Sequence, residues 1–129
     1  MQVVTRSKDL RISTRKVRLV ADAIRNLSIP EAQDVLSIVD QRGASGLRKV
    51  LNAAVANAVN NSKLNKSSLV IKVIDVNEGA ALKRFRPSTR GRVHPYKKRS
   101  TNIRIVLEEV SDQTKTTEIN RKGEQAKLT

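Results

Sequence analysis

Cysteine and tryptophan are both absent from the 129 residues. Without thiols the chain has no disulfide framework and no thiolate metal site. His94 is the single histidine, with no second imidazole to complete a structural zinc site, so no metal and no cofactor are expected. Aromatic residues are limited to Phe85 and Tyr96, which leaves the core to aliphatic side chains. Acids are scarce: 12 Asp plus Glu face 26 Lys plus Arg, for a formal net charge of +14. An imbalance of that size speaks of partners, with nucleic acid the first candidate and an anionic membrane surface the second. No run approaches the roughly 20 apolar residues of a membrane span. Arg6, Lys8, Asp9, Arg11, Arg15 and Lys16 interrupt the N-terminus where a signal peptide would need its apolar core. The expectation is a soluble protein, not inserted in a membrane, that works in the compartment where it is made.

The scarcity of acid is most extreme between Gly79 and Arg104, where there is none. Nine cations stand there instead: Lys83, Arg84, Arg86, Arg90, Arg92, Lys97, Lys98, Arg99 and Arg104. A surface shaped only for solubility interleaves both signs. Arginines outnumber lysines six to three, and the planar guanidinium fork suits phosphate oxygens and stacking on bases. Gly91 allows a turn at positive φ, and Pro87 fixes a local kink. The segment reads as an arm for polyanion.

Periodicity organises the rest. Gln2 to Thr5 is a short β-branched run. Ser13 and Thr14 offer N-cap hydroxyls to a helix whose stripe is Val17, Val20, Ile24 and Leu27, with Asn26 available for a left-handed stop. Ser28-Ile29-Pro30-Glu31 is a capping box, followed by Ala32, Val35, Leu36 and Val39 on one face. Gly43 and Gly46 interrupt the pattern before a third helix built on Leu47, Val50, Leu51, Ala54, Val55 and Ala58. Asn60-Asn61-Ser62 is a stop signal.

From Ser68 the period changes to two. Leu69, Ile71 and Val73 alternate with Val70, Lys72 and Ile74; beyond the basic segment, Ile103, Ile105 and Leu107 alternate with Asn102, Arg104, Val106 and Glu108. The two runs pair antiparallel around the basic segment. If each strand ran on for ~17 residues, the arm would reach roughly 55 Å, too long for a two-stranded ribbon to hold alone. The fold class is therefore α+β: three helices packed on a small antiparallel sheet, with one long extended β-hairpin at about 79–101. Residues 1–110 form one domain. The polar tail, 111–129, lacks hydrophobic periodicity and is expected to be disordered.

Candidate contacts follow from charge and placement. Lys83, Arg84, Arg86, Arg90, Arg92, Lys97, Lys98 and Arg99 on the arm are candidate RNA contacts, joined by Arg15, Lys16 and Arg18 on the first helix and Lys49, beside Arg48, on the third. Phe85 and Tyr96 either stack on bases or brace the two strands across the ribbon. Asn52, Asn57, Asn60 and Asn61 offer amides to RNA or to the helix end. Asp75 and Glu78 read as solvated acids at a strand end. No carboxylate lies near His94 to orient it as a general base, and no phosphate-cradling Gly-rich loop or nucleophile elbow is present. The pattern is that of a binding protein rather than an enzyme. Two rivals remain: an architectural DNA-binding protein whose hairpin enters the minor groove, and a membrane-surface module using the basic first helix.

Several motifs together resemble one family. They are Lys16-Val17-Arg18-Leu19-Val20-Ala21-Asp22, Asn52-Ala53-Ala54-Val55-Ala56-Asn57-Ala58, Glu78-Gly79 with Leu82-Lys83-Arg84-Phe85-Arg86-Pro87, Arg90-Gly91-Arg92, and Lys98-Arg99 before Ile103. In order and spacing these resemble the large-subunit ribosomal protein L22 family of bacteria and organelles, over about Val3 to Glu109. The resemblance implies a structural constituent of the large subunit that binds 23S-type rRNA across several of its domains, beside neighbouring large-subunit ribosomal proteins. It implies a bacterial cytoplasmic or an organellar ribosome, with no homo-oligomer. It further implies a hairpin whose tip, carried here by Lys83, Arg84, Arg90, Gly91 and Arg92, helps line the nascent polypeptide exit tunnel. Lys97, Lys98 and Arg99 would hold the returning strand to rRNA. Ala80 departs from the proline usual after the Glu-Gly pair, and the tail after Ser111 lies beyond the family's usual end.

Overall fold

β-branched residues at the start of the chain and after residue 68 need partners, and a computed structural model, which describes residues 1–110, shows how they find one another. β1 (Gln2–Leu10), β2 (Leu69–Glu78) and β5 (Thr101–Glu109) form a three-stranded antiparallel sheet in the order β1-β5-β2. The expected pairing of the two later runs is thus present, and β5 is the central strand. β3 (Leu82–Pro87) and β4 (Val93–Lys98) make a separate two-stranded ribbon. The arm is therefore not one continuous pair of strands. Residues 79–81 and 99–100 break it into a sheet and an outlying hairpin.

Three helices, α1 (Thr14–Ile24), α2 (Ile29–Ile38) and α3 (Arg42–Asn60), cover the sheet, with α3 against β1 and β5 and α1 against β2. The α+β class is as the periodicity implied. Val17, Val20 and Ile24 of α1 are buried, as are Ala32 and Leu36 of α2 and Leu47, Val50, Leu51, Ala54, Val55 and Ala58 of α3. They meet Ile71, Ile74, Val76, Ile103, Ile105 and Leu107 from the sheet in one aliphatic core. Deleting a side chain such as Leu51 from such a core costs about 2–5 kcal/mol. Ser28 and Glu31 form the capping box, the Ser28 backbone N–H donating to the Glu31 carboxylate at 3.0 Å. Hydrogen bonding from the Ser28 backbone and then from the Ser28 side chain holds the Glu31 carboxyl below its usual range.

Four expectations need correction. β1 runs to Leu10 rather than Thr5, because β5 offers partners up to Thr101, with an irregularity between Ser7 and Leu10 where Asp9 takes φ 57°. α3 begins at Arg42 and passes through both glycines; a methyl on Gly43 would stand 3.2 Å from the Lys16 carbonyl oxygen, so the small residue lets α1 and α3 approach. In β2 the register shifts between Ile71 and Val73, which leaves Lys72 as an extra residue and reverses the alternation: Val73 is exposed and Ile74 buried. Asn26 does not adopt the left-handed conformation; Lys63, after α3, does, at φ 53°. The reading of 111–129 lies outside the described residues.

Candidate nucleic-acid interface

The ribbon is positioned at its root. Where the sheet ends, the Gly79 N–H donates to the Ser100 carbonyl at 3.0 Å, and the Ser100 hydroxyl donates to the Ala80 carbonyl at 2.6 Å. The Asn102 side-chain oxygen accepts from the Asp9 N–H at 2.9 Å, so β1 joins the same knot. Any side chain on Gly79 would crowd it, a Cβ falling 2.5 Å from the Ser100 oxygen. Arg99 pairs with Glu78 at 3.5 Å and Arg104 with Asp75 at 3.4 Å. The two acids read as solvated thus pair with cations, Glu78 with Arg99 at the root and Asp75 with Arg104 farther along β5.

Beyond the root no acid stands on the ribbon or its turn, and its Lys and Arg side chains are the charged ones. Its register pairs Leu82 with Lys98, Lys83 with Lys97, Arg84 with Tyr96, Phe85 with Pro95, Arg86 with His94 and Pro87 with Val93. All twelve residues are exposed. Among the described residues, the ion pairs reach none of Lys83, Arg84, Arg86, Arg90, Arg92, Lys97 and Lys98. The turn occupies Ser88 to Arg92, closed by the Ser88 N–H donating to the Arg92 carbonyl at 2.7 Å. Arg90 and Gly91 sit there at φ 58° and 71°. Of the five residues assigned to the tip, Arg90, Gly91 and Arg92 stand in the turn. Lys83 and Arg84 do not: they lie in the root half of β3, because their cross-strand partners are Lys97 and Tyr96.

The other candidates fall into separate places. Arg15 and Lys16 share a groove of about 510 Å³ with Leu19, Gln41, Arg42 and Gly43. Arg42, unremarked in the sequence, joins them because α3 starts five residues before the apolar run that marks it. Arg18 is differently engaged: its Nε and Nη2 donate to the Val76 carbonyl at 3.1 and 3.0 Å, tying α1 to β2. Lys49 and Arg48 line another depression, with Asp40 and Asn52, near the end of α2. Asn52 accepts from Gln33 at 2.8 Å and Asn57 donates to Thr5 at 3.3 Å, so both amides serve the fold. Arg11, absent from the sequence-based candidates, lines a depression at the ribbon root with Lys98 and Arg99. Its signal is the extension of β1, which charged residues conceal. Among the described residues no cluster of His, Asp or Glu gathers that could hold a metal ion, and no helix is long and apolar enough to cross a membrane.

Such an interface can neutralise phosphates in two zones, the ribbon and the α1–α3 groove. The pattern of the family described as Ribosomal protein L22p/L17e matches residues 5–108. The large ribosomal subunit protein uL22 of Mesoplasma florum is 48% identical over 98 residues, covering 76% of this chain and 88% of that protein. The protein of the same name from Thermus thermophilus is 45% identical over 109 residues, covering 84% and 96%. That from Pediococcus pentosaceus is 45% identical over 103 residues, covering 80% and 87%. The match begins in β1, ends in β5 and takes in the whole ribbon; the chain belongs to the ribosomal protein L22p/L17e family.

Proposed function

We propose that this chain is a structural constituent of the large ribosomal subunit, not an enzyme, and that it binds 23S-type rRNA through the ribbon and its root. Family membership carries the ribosomal assignment. The observation that carries the RNA assignment is the run of seven ribbon and turn cations without an acid partner, on a hairpin that shares no strand with the core sheet. In water these charges repel one another; phosphate neutralises them and releases counterions. Lys83, Arg84, Arg86, Lys97 and Lys98 contact rRNA along the ribbon, with Arg99 at its root, and Arg15, Lys16 and Lys49 do so from the helices. Arg18 contributes there mainly by fixing α1. The hairpin reaches several rRNA domains, and its turn, Arg90-Gly91-Arg92, helps line the exit tunnel and faces the nascent polypeptide. Neighbouring large-subunit proteins adjoin the globular domain, which spans residues 1–110. The bacterial relatives favour the cytoplasmic ribosome as its location.

Replacing residues 83–98 by a short turn tests the reading. The shortened chain should unfold at nearly the same urea concentration as the intact one, while binding to large-subunit rRNA weakens and its salt dependence flattens. Duplex DNA should compete poorly against rRNA for the intact chain. Unchanged affinity and salt slope after the deletion would remove the ribbon from the interface; equal competition by DNA would favour an architectural DNA-binding role.

A further inference from the structure

The register of the ribbon divides its residues between two chemically different sides. Residues opposite one another share a side, and successive residues alternate. Beyond the first rung, one side carries Arg84 and Arg86 with His94 and Tyr96, the Arg86 guanidinium lying 5.1 Å from the centre of the Tyr96 ring. The other side carries Phe85 and Pro87 with Val93 and Pro95, four apolar residues in two alternate rungs on either side of the Arg86–His94 rung. Phe85 is 68% exposed and Val93 56%.

The prolines make this apolar patch tight. Proline has no N–H to donate, so the Phe85–Pro95 and Pro87–Val93 rungs take the non-hydrogen-bonded positions of the ladder. The Ser88-to-Arg92 hydrogen bond that closes the turn sets the same alternation. Non-hydrogen-bonded pairs bring their Cα atoms to about 4.5 Å, with side chains close together. By the same alternation Lys83 and Lys97 form a close pair on this side, two rungs nearer the root than Phe85 and Pro95. Like charges directly opposite destabilise a ribbon, and no acid among the described residues pairs with either. An apolar platform followed, about 7 Å along the ribbon, by an unrelieved double lysine fits a nucleotide: base or sugar on the platform, phosphate between the lysines.

Resting on the rRNA-binding reading, we infer that the ribbon holds RNA by two unlike sides. The Phe85–Pro95 and Pro87–Val93 side seats unpaired bases, with Lys83 and Lys97 clamping the adjoining phosphate. The Arg84–Arg86 side, its guanidinium braced on Tyr96, grips the backbone of a second segment.

The test is equilibrium binding of the full chain to a large-subunit rRNA transcript across a range of KCl concentrations. Arg84→Gln with Arg86→Gln should reduce the log–log salt slope by about 1.4, near 0.7 for each phosphate of single-stranded RNA that is no longer neutralised. Phe85→Ala should weaken binding roughly 5- to 150-fold at every salt concentration and leave the slope unchanged. Because the chain has no tryptophan, Phe85→Trp supplies its single indole, which can be excited selectively over Tyr96, and its emission should be quenched as RNA saturates. Phe85→Ala binding like the unaltered chain, with Phe85→Trp emission unmoved, would overturn the inference. So would a fall in slope from Phe85→Ala equal to that from the arginine pair. If the unaltered chain bound the transcript no better than duplex DNA, the rRNA reading would fall first and this inference with it.

Discussion

The Ser100 hydroxyl donates to the Ala80 carbonyl at 2.6 Å, joining the two strands of the arm at the point where sheet becomes ribbon. Ser100 is buried there, beside Asp9 of β1. The ladder breaks there, and the junction is held by this side chain together with the Gly79-to-Ser100 backbone bond. Ser100→Ala should lower stability by about 0.5–1.5 kcal/mol, the net worth of a hydrogen bond whose acceptor residue, Ala80, is exposed and can turn to water. Gly79→Ala should cost at least as much, since the new methyl meets the hydroxyl itself. Urea unfolding measures both, and residual dipolar couplings of the ribbon amides would report its altered direction.

Thr101 is fully buried and its hydroxyl donates to the Ile12 carbonyl at 2.6 Å, with Thr14 Oγ1 at 3.4 Å. Thr101→Val keeps the shape and removes the donor. Stability should fall by about 1–3 kcal/mol, while Thr101→Ser, which keeps the hydroxyl, should retain the hydrogen bond and lose only a methyl. Thermal unfolding of the two variants side by side separates hydrogen bonding from packing.

Arg18 and its neighbours Arg15 and Lys16 look alike in sequence and differ in the fold. Arg18→Met should reduce stability by about 0.5–1.5 kcal/mol through loss of the two bonds to Val76, an amount held down by solvent exposure. Arg15→Met and Lys16→Met should leave unfolding unchanged and instead weaken rRNA binding, reducing its salt slope. Chemical denaturation and salt-dependent binding together give opposite patterns for the two groups.

Glu31 and Glu108 both sit below the usual carboxylate range. Glu31 is held by hydrogen bonds from Ser28, and Glu108 by hydrogen bonds from Lys72 and then Gln2. In the unfolded chain both titrate near the ordinary value of 4.5, so on acidification that state takes up protons first. Their contribution is complete above that value and is lost as the pH falls through the lower folded values. The urea midpoint should drop between pH 6 and pH 3, and Glu31→Gln should drop less over the same interval.

The sequence exposed those parts of the fold that burial alone dictates. Val17, Val20 and Ile24 had to share a face, and Ile103, Ile105 and Leu107 had to alternate, because each set fills one side of its element. The ribbon was legible for the opposite reason, since charge without acid has no interior to occupy. What stayed hidden depended on pairing. Lys72 becomes an extra residue only against β5, so Ile74 rather than Val73 turns inward. Arg6 and Lys8 disguised the second half of β1 as a loop, and with it the approach of Arg11 to the ribbon root. Arg18 carried the same charge as Arg15, and only the position of Val76 distinguishes them.

Pro87 and Pro95 have one more consequence. A two-stranded ribbon has two free edges, and a free edge is a template on which a second polypeptide can add itself. Each strand of this ribbon carries one proline at a position whose N–H would have pointed outward, and each edge is crowded with like charge. A free chain therefore presents ribbon edges that another copy cannot readily extend. The same two prolines that set the ribbon's register thus also disfavour strand-on-strand aggregation of the free chain.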